Sequence, residues 1–152
     1  MEPEIKIRPK EGLGNLLFGA SMKDAEKILG AAEEVEELEG EDNCPTTVWH
    51  YWQQGVSIFF DKNNNNIFTC AEVGNEEAVL WGRPVFELEE KEIVELFKSR
   101  NFRQIETEVH EWGEKRVSFD DALIDFYFEN NKLISINYGG YSEDHKIVIF
   151  PN

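Results

Sequence analysis

Asp61, Asn63, Asn65 and Glu72 stand at positions 1, 3, 5 and 12 of the stretch DKNNNNIFTCAE. That is the spacing at which a calcium loop presents oxygen ligands, and Phe68 takes its apolar eighth position. Position 6, where such a loop turns sharply on glycine, holds Asn66, which also tolerates a left-handed backbone. Only two carboxylates would face the ion, and the flanks alternate as strands do. A run of Asn between two alternating segments is equally an ordinary hairpin turn. A small-ligand or calcium-binding domain is therefore the alternative reading of the chain.

The other chemical candidates are weaker. GLGNLLFGASMKDAEKILG, residues 12–30, suggests a loop that cradles phosphate at a helix N-terminus. Its glycines are spaced G-x-G-x-x-x-x-G, which is not a dinucleotide fingerprint, and GASMK lacks the Gly-Lys-Ser/Thr of a phosphate loop. His50, His110 and His145 show no zinc spacing, and no motif surrounds a Cys44–His50 nucleophile pair. These absences lead us to expect a protein that is not an enzyme and carries no cofactor.

Recognition chemistry is better supplied. TVWHYW packs large, rigid side chains of the kind that dominate protein interfaces. Residues 33–42, EEVEELEGED, hold seven acids in ten positions and read as an acidic loop. The whole chain carries 15 basic and 31 acidic residues, a net charge of −16. That balance speaks against nucleic acid and against an anionic membrane, and favours a basic protein partner. The start MEPEIKIRPK has no apolar run, so a cytoplasmic location with reduced thiols is expected.

The elements that must position these residues follow from periodicity. Ser21 and Asp24 open a helix whose Met22, Ala25, Ile28 and Leu29 share one face, and Gly30 ends it. A second helix runs from about Glu89 to Arg100. Strands are expected at EIKIRP, TTVWHYW, GVSIFFD, IFTCAEV, RVSF, ALIDFYF and LISINYG, with a last one at 146–150. A shift of 68 places superposes Gly14 on Gly82, Phe18 on Phe86, and Val56, Ile58 and Phe60 on Ile124, Phe126 and Phe128. This register predicts two internal repeats, about 11–74 and 79–140, within one domain. It also assigns faces: Trp49 and Tyr51 go to the core, while His50, Trp52, Phe59 and Tyr127 take the other side of the sheet.

A glycine-rich lead, a short helix ending in Leu-Gly, and a meander passing through WHYW to the aromatic–Asp turn of GVSIFFD together resemble a known repeat. It is similar to that of the beta-lactamase-inhibitor-protein-like fold and of small outer-membrane-assembly lipoproteins of the SmpA/OmlA type. The resemblance implies a non-enzymatic role in which the sheet or its loops grip another protein; a lipoprotein cysteine is missing. Proteins of this general look also occur among bacterial immunity proteins, and the net charge would suit one that neutralises a basic toxin. The expected fold class is thus α+β: two tandem units of helix plus antiparallel meander, sharing one continuous sheet with the helices on one face. The expected binding residues are His50, Trp52, Phe59 and Tyr127, rimmed by Glu36, Glu37 and Glu39.

Overall fold

The structure, a computed structural model, describes residues 5–39, 45–110 and 113–139. Thirteen strands and two α-helices occur among them. They are β1 (Lys6–Arg8), β2 (Gly12–Leu13), β3 (Leu16–Leu17), α1 (Met22–Leu29), β4 (Glu34–Leu38), β5 (Thr46–Tyr51), β6 (Val56–Asp61) and β7 (Ile67–Val73). Then follow β8 (Val79–Leu80), β9 (Arg83–Pro84), α2 (Glu90–Ser99), β10 (Ile105–Val109), β11 (Glu114–Phe119), β12 (Ile124–Glu129) and β13 (Lys132–Gly139). The expected strand at 146–150 lies outside the described residues, as do Cys44 and His145.

Two sheets result, not one. The larger has eight strands in the order β10-β11-β12-β13-β7-β6-β5-β4, and the smaller has five in the order β3-β2-β1-β8-β9. The α+β expectation of two helix-plus-meander units on one continuous sheet is therefore corrected to a mainly β architecture of two sheets with two helices. The reason lies in the stretches taken as leads into the helices. Gly14 and Asn15 form a two-residue turn that pairs Leu13 with Leu16, and Trp81 and Gly82 do the same for Leu80 and Arg83. Such turns need left-handed residues; Gly14 has φ +59°, Trp81 +49° and Gly82 +77°. Strand β1 then joins the two hairpins, antiparallel to β2 and parallel to β8.

The helices form where the caps predict. The Ser21 hydroxyl accepts the Asp24 N–H at 3.1 Å, and Gly30, at φ +84°, closes α1 by donating to the Glu26 carbonyl. Glu92 accepts the Glu89 N–H at 3.0 Å to start α2. Each short helix buries a narrow apolar stripe, Ala25 in α1 and Ile93 with Phe97 in α2.

One continuous apolar core fills the space between the large sheet, the helices and the small sheet. Phe97 stacks on Phe119 with centroids 4.3 Å apart and meets Phe126 edge-on. Phe18 packs against Phe68 and Tyr138. The Tyr138 hydroxyl donates to the Gly12 carbonyl at 3.0 Å, tying the large sheet to the small one. Burial pushes the Tyr138 phenol well above its ordinary range.

Candidate functional site

Facing away from that core, the large sheet carries polar residues in register. The row Glu34–His50–Ser57–Glu72–Asn137–Asp125–Ser118–Glu106 crosses all eight strands, one residue from each. Alternation explains it, because the neighbours of these residues along each strand point to the core. Next to the row on β11, Arg116 lies 3.4 Å from Glu108 and 3.7 Å from both Glu106 and Asp125. It also donates to the Ser118 hydroxyl, which in turn donates to Asp125 at 2.5 Å.

The β4 end of this face is where the aromatic and acidic candidates meet. His50 is 9% exposed. Its Nε2–H donates to Glu36 Oε1 at 2.9 Å, because a carboxylate can only accept. In the neutral ring, Nδ1 then accepts the Ser57 hydroxyl at 2.7 Å. Trp52 has left the strand: it opens a single 3-10 turn, Trp52–Gln54, closed by Gly55 at φ +65°. That turn folds its indole back onto His50, stacked at 4.2 Å and 10° between planes. The indole N–H reaches Glu34 at 3.2 Å, and Glu33 accepts the Gln53 N–H at 3.0 Å. Trp52 nevertheless stays 56% exposed, the largest exposed aromatic among the described residues.

The acidic stretch is also corrected. Residues 34–38 form the edge strand β4, paired along its length with β5, where an acidic loop was expected. Glutamate is a poor strand former in general, so the pattern hid the strand. Glu36 and Glu37 lie on opposite faces of it, and Glu39 follows its end. Residues 40–42 lie outside the described set. Glu37 pairs with Lys62 and accepts the Thr47 hydroxyl at 3.0 Å. The hydrogen bond from Lys62, with that from Thr47 behind it, lowers the Glu37 pKa.

Phe59 and Tyr127 stand apart from this corner. Both are half-buried on the polar-row face, on strands β6 and β12, which two other strands separate. Three strand spacings of about 4.8 Å set them roughly 14 Å apart across the sheet, and register offsets them by four positions along it as well, so the structure does not join them into one patch. Desolvation first, and the Asp125 charge second, raise the Tyr127 pKa.

The calcium set is likewise not brought together. Asp61 accepts the Asn63 N–H at 2.9 Å, capping a short 3-10 turn that ends on Asn65 at φ +57°. Glu72 sits five residues beyond Ile67 on β7, beside Ser57. A strand rising about 3.3 Å per residue puts it roughly 16 Å from the turn. Its place is the polar row.

Several contributors escaped the sequence reading. Ser57, Glu34, Arg116 and Ser118 join the network only through strand register, which alternation alone does not supply. Val48, between Glu36 and Phe59, is buried on this face outside the main core. Cys70, half-buried beside Phe59, has its thiol pushed up to about 12 by desolvation, with Glu72 and Asp125 adding to the shift.

Taken together, fold and site define a two-sheet, mainly β protein whose open sheet edge is acidic and aromatic. No protein-family model matches the chain, and no curated protein matches it in sequence. It is similar in structure to an extracellular protein containing a SCP domain from Bacillus anthracis str. Ames, at a TM-score of 0.52 and 12% identity. The match covers 95% of this chain and 50% of that one, so the chain spans half the length of that protein. At this identity the likeness concerns the fold. No helix among the described residues is long and apolar enough to cross a membrane.

Proposed function

We propose that this chain is a non-catalytic binding module that takes a basic protein partner at the β4 corner of its large sheet. The observation that carries the reading is Trp52, an exposed indole held rigid by the His50 stack and the Glu34 hydrogen bond. A large side chain that is already ordered loses little entropy when a partner covers it, which is what makes tryptophan an interface anchor. Glu33, Glu34 and Glu36 place negative charge beside it, which steers a cationic surface toward the corner. The resemblance noted in the sequence implies gripping a protein with the sheet or its loops, and an immunity or inhibitor role against a basic target is the form that the net charge suits.

The Ser57–His50–Glu36 chain supports binding over catalysis. Ser57 sits mid-strand between β5 and β7, so its surrounding amides are committed to the ladders. Acyl transfer needs free donors aimed at the oxyanion that develops on the substrate carbonyl, and the ladder amides around Ser57 are not free. The chain instead fixes the imidazole on which Trp52 rests.

The test is direct. Binding to a panel of small basic proteins, a ribonuclease among them, is measured by calorimetry at low and high salt. We expect salt-sensitive association that Trp52→Ala weakens by at least about tenfold. A partner bound equally well by the parent and by Trp52→Ala overturns the assigned corner.

A further inference from the structure

We infer that β4 takes an added strand: an extended segment of the partner, alternating basic and apolar residues, pairs its backbone with the outer edge of the large sheet. The inference rests on the proposed binding of a basic partner and specifies how that partner docks.

The edge is open. β4 ends the eight-stranded sheet, no described strand pairs with its outer side, and all five of its residues are exposed. An unpaired edge offers a row of N–H and C=O groups that a further strand can satisfy. Strand addition draws affinity from those main-chain bonds and specificity from what alternate side chains meet. Here the two faces differ. Val35, 55% exposed, lies directly opposite Trp49 on the core-side face. Trp49 in turn floors a groove of about 450 Å³ against α1, walled by Met22, Glu26 and the basic Lys23 and Lys27, so this side takes apolar rather than basic side chains. Apolar side chains of an added strand would reach Val35 and this groove. On the other face, Glu34 and Glu36 meet the basic ones.

Charge selects the occupant. A second copy of this chain would set β4 against β4, glutamates against glutamates, and like charges on facing strands are destabilising. A cationic strand meets the opposite situation. The far edge, β10, is less suited, because Arg116 already lies against Glu106 and Glu108.

The probe is a blocked heptapeptide of alternating lysine and valine, titrated into the full chain. We expect saturable binding and slowed hydrogen exchange at the amides of residues 34–38. Methylating one alternate set of peptide amides should abolish binding, while methylating the other set should leave it within about threefold, because an added strand pairs along one side only. Val35→Lys should weaken binding at least about tenfold with the fold unchanged by circular dichroism. If both methylated peptides bind like the parent peptide, charge alone holds them: strand addition is overturned and the basic-partner reading stands. If neither the peptide nor any basic protein of the panel binds, both readings fall. A concentration-dependent dimer that the peptide disperses would assign the edge to a second copy instead.

Discussion

At the scale of single residues, the structure separates groups whose titration favours folding from those whose ionisation it suppresses. Glu37 gains hydrogen bonds from Lys62 and Thr47 on folding, which lowers its pKa below the ordinary 4.5. A depressed carboxylate contributes stability above its unfolded pKa and loses it as pH falls through the folded value. Lys62→Met should therefore lower the thermal midpoint near neutrality, with the gap to the parent closing below about pH 4.5. Melting curves across that range check it, and a gap constant with pH would mean that the lysine acts by packing alone. Cys70 illustrates the second kind. A thiol raised from 9.0 to about 12 has about 1,000-fold less thiolate at pH 8, and only the thiolate attacks an alkylating reagent. Peptide mapping after brief iodoacetamide treatment should find Cys70 almost unmodified in the folded chain and fully modified in denaturant. Rapid labelling of the folded chain would contradict the raised thiol.

At the scale of elements, the small sheet depends on left-handed turns and on one close backbone approach, at Gly12, that only glycine fits. Gly12, at φ +157°, is so close to β3 that an added Cβ would lie 2.1 Å from the Leu16 carbonyl oxygen. Gly14 also has a positive φ, but open space surrounds it. Gly12→Ala should cost about 3 kcal/mol through strain and hairpin opening, and Gly14→Ala only about 1 kcal/mol for the left-handed backbone. Denaturant midpoints of the two variants decide this; equal losses would show that backbone angle alone matters. The same pair marks how far the sequence could be read. Helix α1 was legible because Ser21, Asp24 and Gly30 are local signals, and strand β6 because Val56, Ile58 and Phe60 alternate. Of the small sheet only β1, within EIKIRP, was legible, because the other four strands are two residues long. Its central parallel pairing also joins Ile7 to Leu80, far along the chain. At the candidate site, alternation placed His50 on the face away from the core. It could not show that Trp52 leaves the strand, nor that the glutamates beside it form β4.

At the scale of the molecule, one core shared by both sheets and both helices implies that they unfold together. Tyr138→Phe removes the buried hydrogen bond to the Gly12 carbonyl. We expect a loss of about 1–2 kcal/mol with the denaturant slope unchanged, because the surface exposed on unfolding is the same. A second transition would show instead that the hydroxyl holds two separable units. Charge acts at this scale too. With a net charge of −16, the folded chain concentrates repulsion that the expanded chain relaxes, and added salt screens it within about 8–10 Å. Sodium chloride should therefore raise the thermal midpoint while weakening capture of any basic partner, two opposite responses from one cause. The opposed signs give the check its force. Ion pairs such as those around Arg116 would lose stability in salt, so a falling midpoint would mean that local pairing outweighs global repulsion. A midpoint that rises while partner affinity also rises would show that apolar contact, centred on Trp52 and Val35, holds the complex instead of charge.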